Sequence, residues 1–368
     1  MANELDKLVK EQQTNIEKGA GKSYSERQPY ATKVGRSQDK MNDLLGASGV
    51  KTFLEFMRKY SVDPTGSGHK RDVDLGTVDV VDSQTKVKRT VAKRGQELDL
   101  DATTKSTANP AITFGEYTTD DKKICSAYFE KATDTCGKFR LIVEPISRNH
   151  SFLIYYLPWE SKKILRLKIP STPTAGKPDP DIFFTAGING CSVFFVGDSK
   201  SPEVYHAGTE EKLGNINSGK YWRTLFREWN TTAAADPKGA KTYGEVKKSQ
   251  YINALGKETD SKFDGQTKES LDYKQWLKDN QKDVDVTLVQ PWGCVFGLRD
   301  ANRDWTFYLQ KNAVVKYYSF KKSGLFGTGA RKRGASEQVV NLPMELVKVF
   351  PGRAHVRISN YFSVRQGY

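Results

Sequence analysis

Apolar positions recur with helical spacing over the first sixty residues and with a spacing of two over much of the remainder. Asn3–Val9 starts one weak helical segment, and Asp39–Leu45 and Lys51–Tyr60 predict a stronger pair. In the last of these, Phe53, Leu54, Phe56 and Met57 make an apolar stripe. Residues 61–109 are polar and rich in turn formers, which predicts a linker with at most a short strand pair. From Ala111 the pattern becomes that of strands: AITFGEYTT, SAYFEKA, KFRLIVEPI, SFLIYYLPW and ILRLKIP are short runs separated by turn residues. Residues 219–230 return to a helical period, with Trp222, Leu225, Phe226 and Trp229 on one side. A polar insertion follows over residues 231–283, with helices expected at 247–255 and 268–280. Strand character resumes in 284–298, 304–309, 313–320 and 355–364. The expected fold class is α+β: an antiparallel β-sandwich or curved-sheet core flanked by helices, with a helical N-terminal segment. The expected division is a helical and linker region, residues 1–105, serving export, localisation or docking, and a β-rich catalytic domain, residues 106–368.

Within the strand-rich part, residues 181–208 (DIFFTAGINGCSVFFVGDSKSPEVYHAG) carry candidate chemistry. Turn residues 186–190 precede Cys191. Ser192–Val196 and Glu203–Ala207 read as two strands joined by the turn formers of residues 197–202. A hairpin closed by a two-residue loop at Asp198-Ser199, or by a four-residue loop from Gly197 to Lys200, pairs positions that sum to 397. Cys191 would then lie opposite His206, with Cβ atoms ~4.5–5.5 Å apart. A thiolate beside an imidazolium is a nucleophile for carbonyl carbon, and the imidazolium can protonate a leaving amine. Gly187 and Gly190 leave room for substrate, and Gly190 with Asn189 would support the turn and a backbone oxyanion site. The same spacing equally describes a small buried thiol and an ordinary strand histidine.

These residues resemble the catalytic region of the cytotoxic necrotizing factor-type glutamine deamidases, bacterial toxins and effectors. The resemblance covers Thr185 to Gly208 and rests on Gly190-Cys191 and on His206 fifteen positions later. Ile188-Asn189 stands where that family has Leu-Ser. It implies a β-sandwich flanked by helices, a Cys–His pair on adjacent strands and a main-chain carbonyl orienting the imidazole. It also implies a protein substrate such as a host small GTPase or a translation factor, and no cofactor. On this reading the chain is a monomeric effector-type thiol hydrolase that deamidates a protein glutamine or asparagine. It would be made in a bacterial cytoplasm, exported without a cleaved signal, and active in the cytoplasm of a target cell. A cysteine protease or transglutaminase would use the same pair. A non-enzymatic basic protein docking on an acidic partner is the alternative from another class.

Composition bears on these alternatives. The 368 residues carry 58 Lys and Arg against 44 Asp and Glu, a formal net charge of +14, which favours contact with acidic surfaces. The sharpest clusters are Lys86–Arg89 with Lys93-Arg94, and Lys321-Lys322 with Arg331-Lys332-Arg333; none matches a nucleic-acid-binding signature. The first nineteen residues lack the apolar core of a secretory signal, and no run approaches the ~18 apolar residues of a membrane-spanning helix. Four cysteines (Cys125, Cys136, Cys191, Cys294) neither build a disulfide framework nor show zinc spacing, although Cys125 and Cys136 flank a hairpin and could pair on oxidation. Gly324–Gly329 lacks the Gly-Lys-Ser/Thr ending of a phosphate loop. His69 falls in the expected linker, His150 in a turn and His355 at a strand start, and Asp181 is the nearest carboxylate upstream of Cys191.

Overall fold

The computed structural model describes residues 2–64, 77–82, 88–92, 113–117, 124–132, 138–144, 149–158, 163–189, 191–208, 242–251, 284–322, 331–334, 336–351 and 354–356. The helices α1 (Ala2–Gly19) and α2 (Tyr24–Gly46) are longer than the apolar stripes alone predicted, and α3 (Val50–Lys59) matches the expected length, displaced by one residue. At the start of α2, the Glu26 carboxylate accepts the Ser23 N–H at 3.1 Å, occupying a donor the helix cannot use itself. In α3, Phe53, Phe56 and Met57 are buried and Leu54 packs half-buried beside them. The Phe53 ring lies 6.0, 6.2, 6.2 and 6.4 Å from Phe129, Phe152, Phe184 and Phe296.

The strands are β1 (Ser61–Asp63), β2 (Thr77–Asp82), β3 (Lys88–Ala92), β4 (Thr113–Tyr117), β5 (Ile124–Lys131), β6 (Lys138–Glu144), β7 (Phe152–Leu157), β8 (Lys163–Lys168), β9 (Ile182–Thr185), β10 (Ser192–Gly197) and β11 (Glu203–Gly208). They continue as β12 (Thr242–Val246), β13 (Val284–Arg299), β14 (Trp305–Lys322), β15 (Arg331–Arg333), β16 (Gln338–Phe350) and β17 (Ala354–Val356), with a short helix α4 (Lys248–Tyr251) after β12. One sheet has the order β1-β6-β5-β7-β9-β13-β14-β16-β17, with β15 also on β14; the other runs β12-β10-β11-β8-β4-β2-β3. The chain is thus α+β, with strands predominating. The sheets meet through aromatic rings: Phe195 of β10 lies 4.8 Å from Phe307 of β14 and 5.8 Å from Phe350 of β16. Gly244 on β12 lets that strand reach β16, since a Cβ there would sit 2.8 Å from the Val349 carbonyl oxygen.

Several expectations are corrected. Residues 304–309 and 313–320 form the single strand β14 rather than two. β16 was not expected; its Pro343 sits opposite Asn312 at a register shift, where a missing N–H does little harm to the ladder. β12 lies inside the segment expected to be a polar insertion, and pairs with β10. The short pair expected within 61–109 is present as β2 and β3.

The expected boundary near residue 105 does not separate two cores. Leu5, Met41, Phe53 and Val62 belong to one apolar cluster with Phe129, Phe184 and Phe296. The Asn42 carboxamide accepts the Phe129 N–H at 2.7 Å and donates to the Phe129 carbonyl at 3.0 Å, fastening α2 to β5. Gln310 on β14 accepts the Val62 N–H at 3.0 Å and donates to the Tyr60 carbonyl at 2.8 Å. Among the described residues, no helix is long and apolar enough to cross a membrane. The helices expected at 219–230 and 268–280 lie outside the described residues, and of the one expected at 247–255 only Lys248–Tyr251 is described.

Candidate functional site

Cys191 stands where the chain passes between the sheets: β9 belongs to the larger one and β10 to the smaller. The connecting turn is clamped. Ile188 and Gly293 exchange two backbone hydrogen bonds, each 2.8 Å, and the Ala186 N–H donates to the Leu157 carbonyl at 2.9 Å. Gly293 is needed there, because a Cβ would come within 2.8 Å of the Ile188 side chain. The Tyr251 hydroxyl donates to the Cys191 carbonyl at 2.7 Å, fixing the residue from its other end. Asn189 is exposed, as a turn residue would be, and Gly190 lies outside the described residues.

The hairpin after Cys191 forms with a different register from that expected. Val193 pairs with His206 and Ser192 with Ala207, so paired positions sum to 399, not 397. The cause is the turn. β10 ends at Gly197, whose φ of 104° suits glycine, and β11 starts at Glu203. The Asp198 carboxylate accepts the N–H groups of Lys200 and Ser201, both at 2.8 Å, and this local turn makes the loop longer than expected. A shift of two preserves strand parity. Cys191 is therefore not opposite His206 but one diagonal step away, in the same alternation as Val193, which puts Cα separations on the order of 7–8 Å. Tyr205 falls in the opposite alternation, paired with Phe194, as expected.

His206 is 1% exposed and Cys191 4% exposed. Neither ring nitrogen of His206 has a hydrogen-bond partner. Burial pushes its pKa down to about 3, so the imidazole is neutral at ordinary pH. Two expectations are thereby corrected. A standing imidazolium does not neighbour Cys191, and no main-chain carbonyl orients the ring. Nor does Asp181 serve: its carboxylate accepts from the Arg299 guanidinium at 2.7 Å, beside Asp179.

The other described cysteines, Cys125 and Cys294, are buried as Cys191 is. Desolvation raises the Cys125 thiol to about 12, and Cys294 is raised by desolvation and by Asp63. Cys125, Cys191 and Cys294 are in no disulfide. No group of three His, Cys, Asp or Glu side chains that could hold a metal ion occurs among the described residues. His150 pairs with Asp43 at 2.9 Å and its pKa is raised by that hydrogen bond. His69, Cys136 and Gly324–Gly329 lie outside the described residues, and His355 falls on β17. Tyr251 is the site residue that sequence reasoning missed. It lies within the segment taken as an insertion, and only the pairing of β12 with β10 brings it near Cys191.

No family model matches the chain, and no curated protein matches it. Among solved structures the chain is similar to the crystal structure of the C-terminal domain of CNFy from Yersinia pseudotuberculosis. That similarity has 8% sequence identity and a TM-score of 0.24, over 72% of this chain and 87% of that one. A likeness so distant carries no argument about activity.

Proposed function

We propose that the chain is a thiol hydrolase acting on a side-chain amide of a protein, with Cys191 as nucleophile and His206 as the base that serves it. The observation that carries this reading is the hairpin register: Val193 opposite His206, with Cys191 two residues before Val193 in the same alternation. The uncommitted nitrogens of His206 leave the neutral ring free to accept a hydrogen bond from the thiol, while burial lowers its basicity and weighs against it as a base. As Sγ forms its bond to the amide carbon, the thiol proton passes to the imidazole. The tetrahedral adduct collapses to a thioester, and the departing nitrogen takes the proton and leaves as ammonia. Water then hydrolyses the thioester, giving a carboxylate on the substrate and regenerating the thiol. Tyr251 would hold the Cys191 main chain during these steps. Glutamine or asparagine deamidation by an effector acting in a target cell rests on the resemblance in residues 185–208. The facing of the two sheets supports a β-sandwich reading of the core.

One observation favours the non-enzymatic reading: Cys191 is a member of the apolar core. Intact-mass measurement separates the two. Candidate proteins incubated with the chain should gain one dalton per amide converted, and should gain none with Cys191→Ser or His206→Ala. Alkylation by iodoacetamide at neutral pH should reach Cys191 before Cys125 and Cys294. A mass shift that persists with Cys191→Ser would overturn the assignment.

A further inference from the structure

We infer that the free end of the α1–α2 hairpin docks on an anionic lipid bilayer surface. The two helices pack along each other and come close at Gly19, where a Cβ would lie 3.3 Å from the Arg27 Cγ and 3.5 Å from the Tyr30 Cβ. Gly21, with a φ of 73°, turns the chain between them. The buried residues of α2 are Ser37, Met41, Asn42 and Leu45, all in its second half, which Asn42 fastens to β5. From Tyr24 to Arg36 only Tyr30, Val34 and Gly35 are half-buried, and the rest are exposed. Roughly 20 Å of helix, at ~1.5 Å per residue, therefore leaves most of its surface to solvent.

Residues 18–38 hold five basic side chains, Lys18, Lys22, Arg27, Lys33 and Arg36, against one acid, Glu26. All five are exposed, and none has an ion-pair partner among the described residues. Glu26 is engaged locally by the Ser23 N–H, and Glu17, the next acid toward the N-terminus, accepts from Gln13 at 2.6 Å. The end of the hairpin carries Lys18, Lys22 and Arg27 together with Tyr24, which is 77% exposed and is the exposed large hydrophobic side chain among the described residues. The Lys22 ammonium lies 5.9 Å from the centre of the Tyr30 ring, close to the helix pair. A phenol ring settles at headgroup depth, and cations beside it meet the anionic headgroups. Lys33 and Arg36 stand roughly 9–14 Å farther along the axis than Arg27, about a Debye length away, and add less. A protein partner would need an apolar centre within about 800 Å² of contact, whereas this end offers one ring.

This inference is independent of Cys191 and His206. The test is cosedimentation of the full chain with phosphatidylcholine vesicles and with vesicles containing phosphatidylserine. Binding is expected only to the second kind, and should fall as salt is raised. The double variant Lys18→Gln/Lys22→Gln should bind about 25-fold more weakly, about fivefold per charge removed. Lys51→Gln/Lys200→Gln, which removes the same charge from exposed positions elsewhere, should bind as the parent does. Tyr24→Ser should bind more weakly with an unchanged salt dependence, because it removes no charge. All of these positions are exposed, so circular dichroism should find each variant folded as the parent is. Equal binding to both vesicles, undiminished binding by Lys18→Gln/Lys22→Gln, an equal loss in Lys51→Gln/Lys200→Gln, no binding by the parent, or tighter binding to a DNA duplex than to phosphatidylserine vesicles would each overturn the inference.

Discussion

Replacing His206 by leucine should make the protein more stable and less dependent on pH. His206 lies among apolar neighbours, paired across the ladder with Val193 on one side and Leu165 on the other. Its two ring nitrogens are buried without partners, and one such group costs about 1–3 kcal/mol. Leucine fills a similar volume with nothing to satisfy, so a gain of about 1–3 kcal/mol is expected near neutral pH. The titration adds a second signature. Burial lowers the folded pKa to about 3, against an ordinary value of 6.5. Between those values the unfolded chain binds more protons than the folded one, so stability rises with pH across the window. The His206 contribution is complete above about 6.5 and is lost as the pH falls toward 3. At about pH 4.5 the parent should have lost a few kcal/mol through this one residue, at about 1.4 kcal/mol per pH unit below the unfolded value.

Urea unfolding of parent and His206→Leu at about pH 4.5 and about pH 7.5 measures both effects from the midpoints, provided the slopes agree. Against the opposing effect of burial, hydrogen bonds and ion pairs to Arg299 and Arg303 hold the Asp179 carboxyl below its ordinary value. His150 has the opposite sign, because its partner Asp43 raises its pKa and stabilises the charged form as the pH falls. The comparison is therefore best made in a His150→Gln background. The pH slope attributable to His206 should vanish in the leucine variant, together with any amide hydrolysis. If His206→Leu is the less stable protein at neutral pH, or if the slope survives the substitution, the ring is not the unpartnered neutral base described here.

Asp179→Asn should destabilise the fold by about 2–3 kcal/mol. It removes the carboxylate that accepts from Arg299 and Arg303, each at 2.9 Å, while the buried Arg299 keeps Asp181 and the Asp179 backbone carbonyl; chemical denaturation reads the loss, and a change below ~0.5 kcal/mol would show the pair to be idle. A chain beginning near residue 106 should be insoluble or unfolded by circular dichroism, because it lacks the buried rings of Phe53 and Phe56 and the α2–β5 link through Asn42; a well-folded truncated protein would restore the division that the shared core contradicts.

How much of the fold was legible depended on whether local pattern decided the element. The stripe of α3 and the alternation of β6, whose buried positions are Phe139, Leu141 and Val143, are written in adjacent residues. β16 was missed because QVVNLPMELVKVF contains Pro343 and places Glu345 opposite Lys311, an ion pair of 2.7 Å that only the finished sheet explains. β14 was cut in two because Gln310, Lys311 and Asn312 look like turn material. Their polarity has tertiary causes: Gln310 holds β1 and the end of α3, Lys311 pairs with Glu345, and Asn312 donates to Gln310 at 3.0 Å. The apparent boundary near residue 105 arose from the polar composition of residues 61–109, which says nothing about where the helices before it pack.

The candidate site was legible in its parity and not in its register, and the difference has one physical source. Sequence shows that Cys191 and His206 flank a turn-rich hairpin, and any even shift leaves them in one alternation. Register is set by how Asp198 closes the turn. Its carboxylate captures two successive N–H groups, a choice that competes with tighter two-residue closures of nearly the same composition. The tip is then held from outside: the Ser199 hydroxyl donates to the Asp304 carboxylate at 2.5 Å, the Trp305 N–H to the Ser199 carbonyl at 2.7 Å, and the Lys200 ammonium to the Asn302 carbonyl at 3.1 Å. Residues more than a hundred positions away thus select the turn, and with it the diagonal rather than direct placement of thiol and imidazole. The depth of the pair was equally out of reach of local reading, because burial of His206 depends on β8 and β12 flanking the hairpin and on β14 and β16 facing it. The imidazole that local spacing would have charged is neutral for that reason, which makes proton transfer from thiol to imidazole during attack, rather than a standing ion pair, the step on which the proposed chemistry depends.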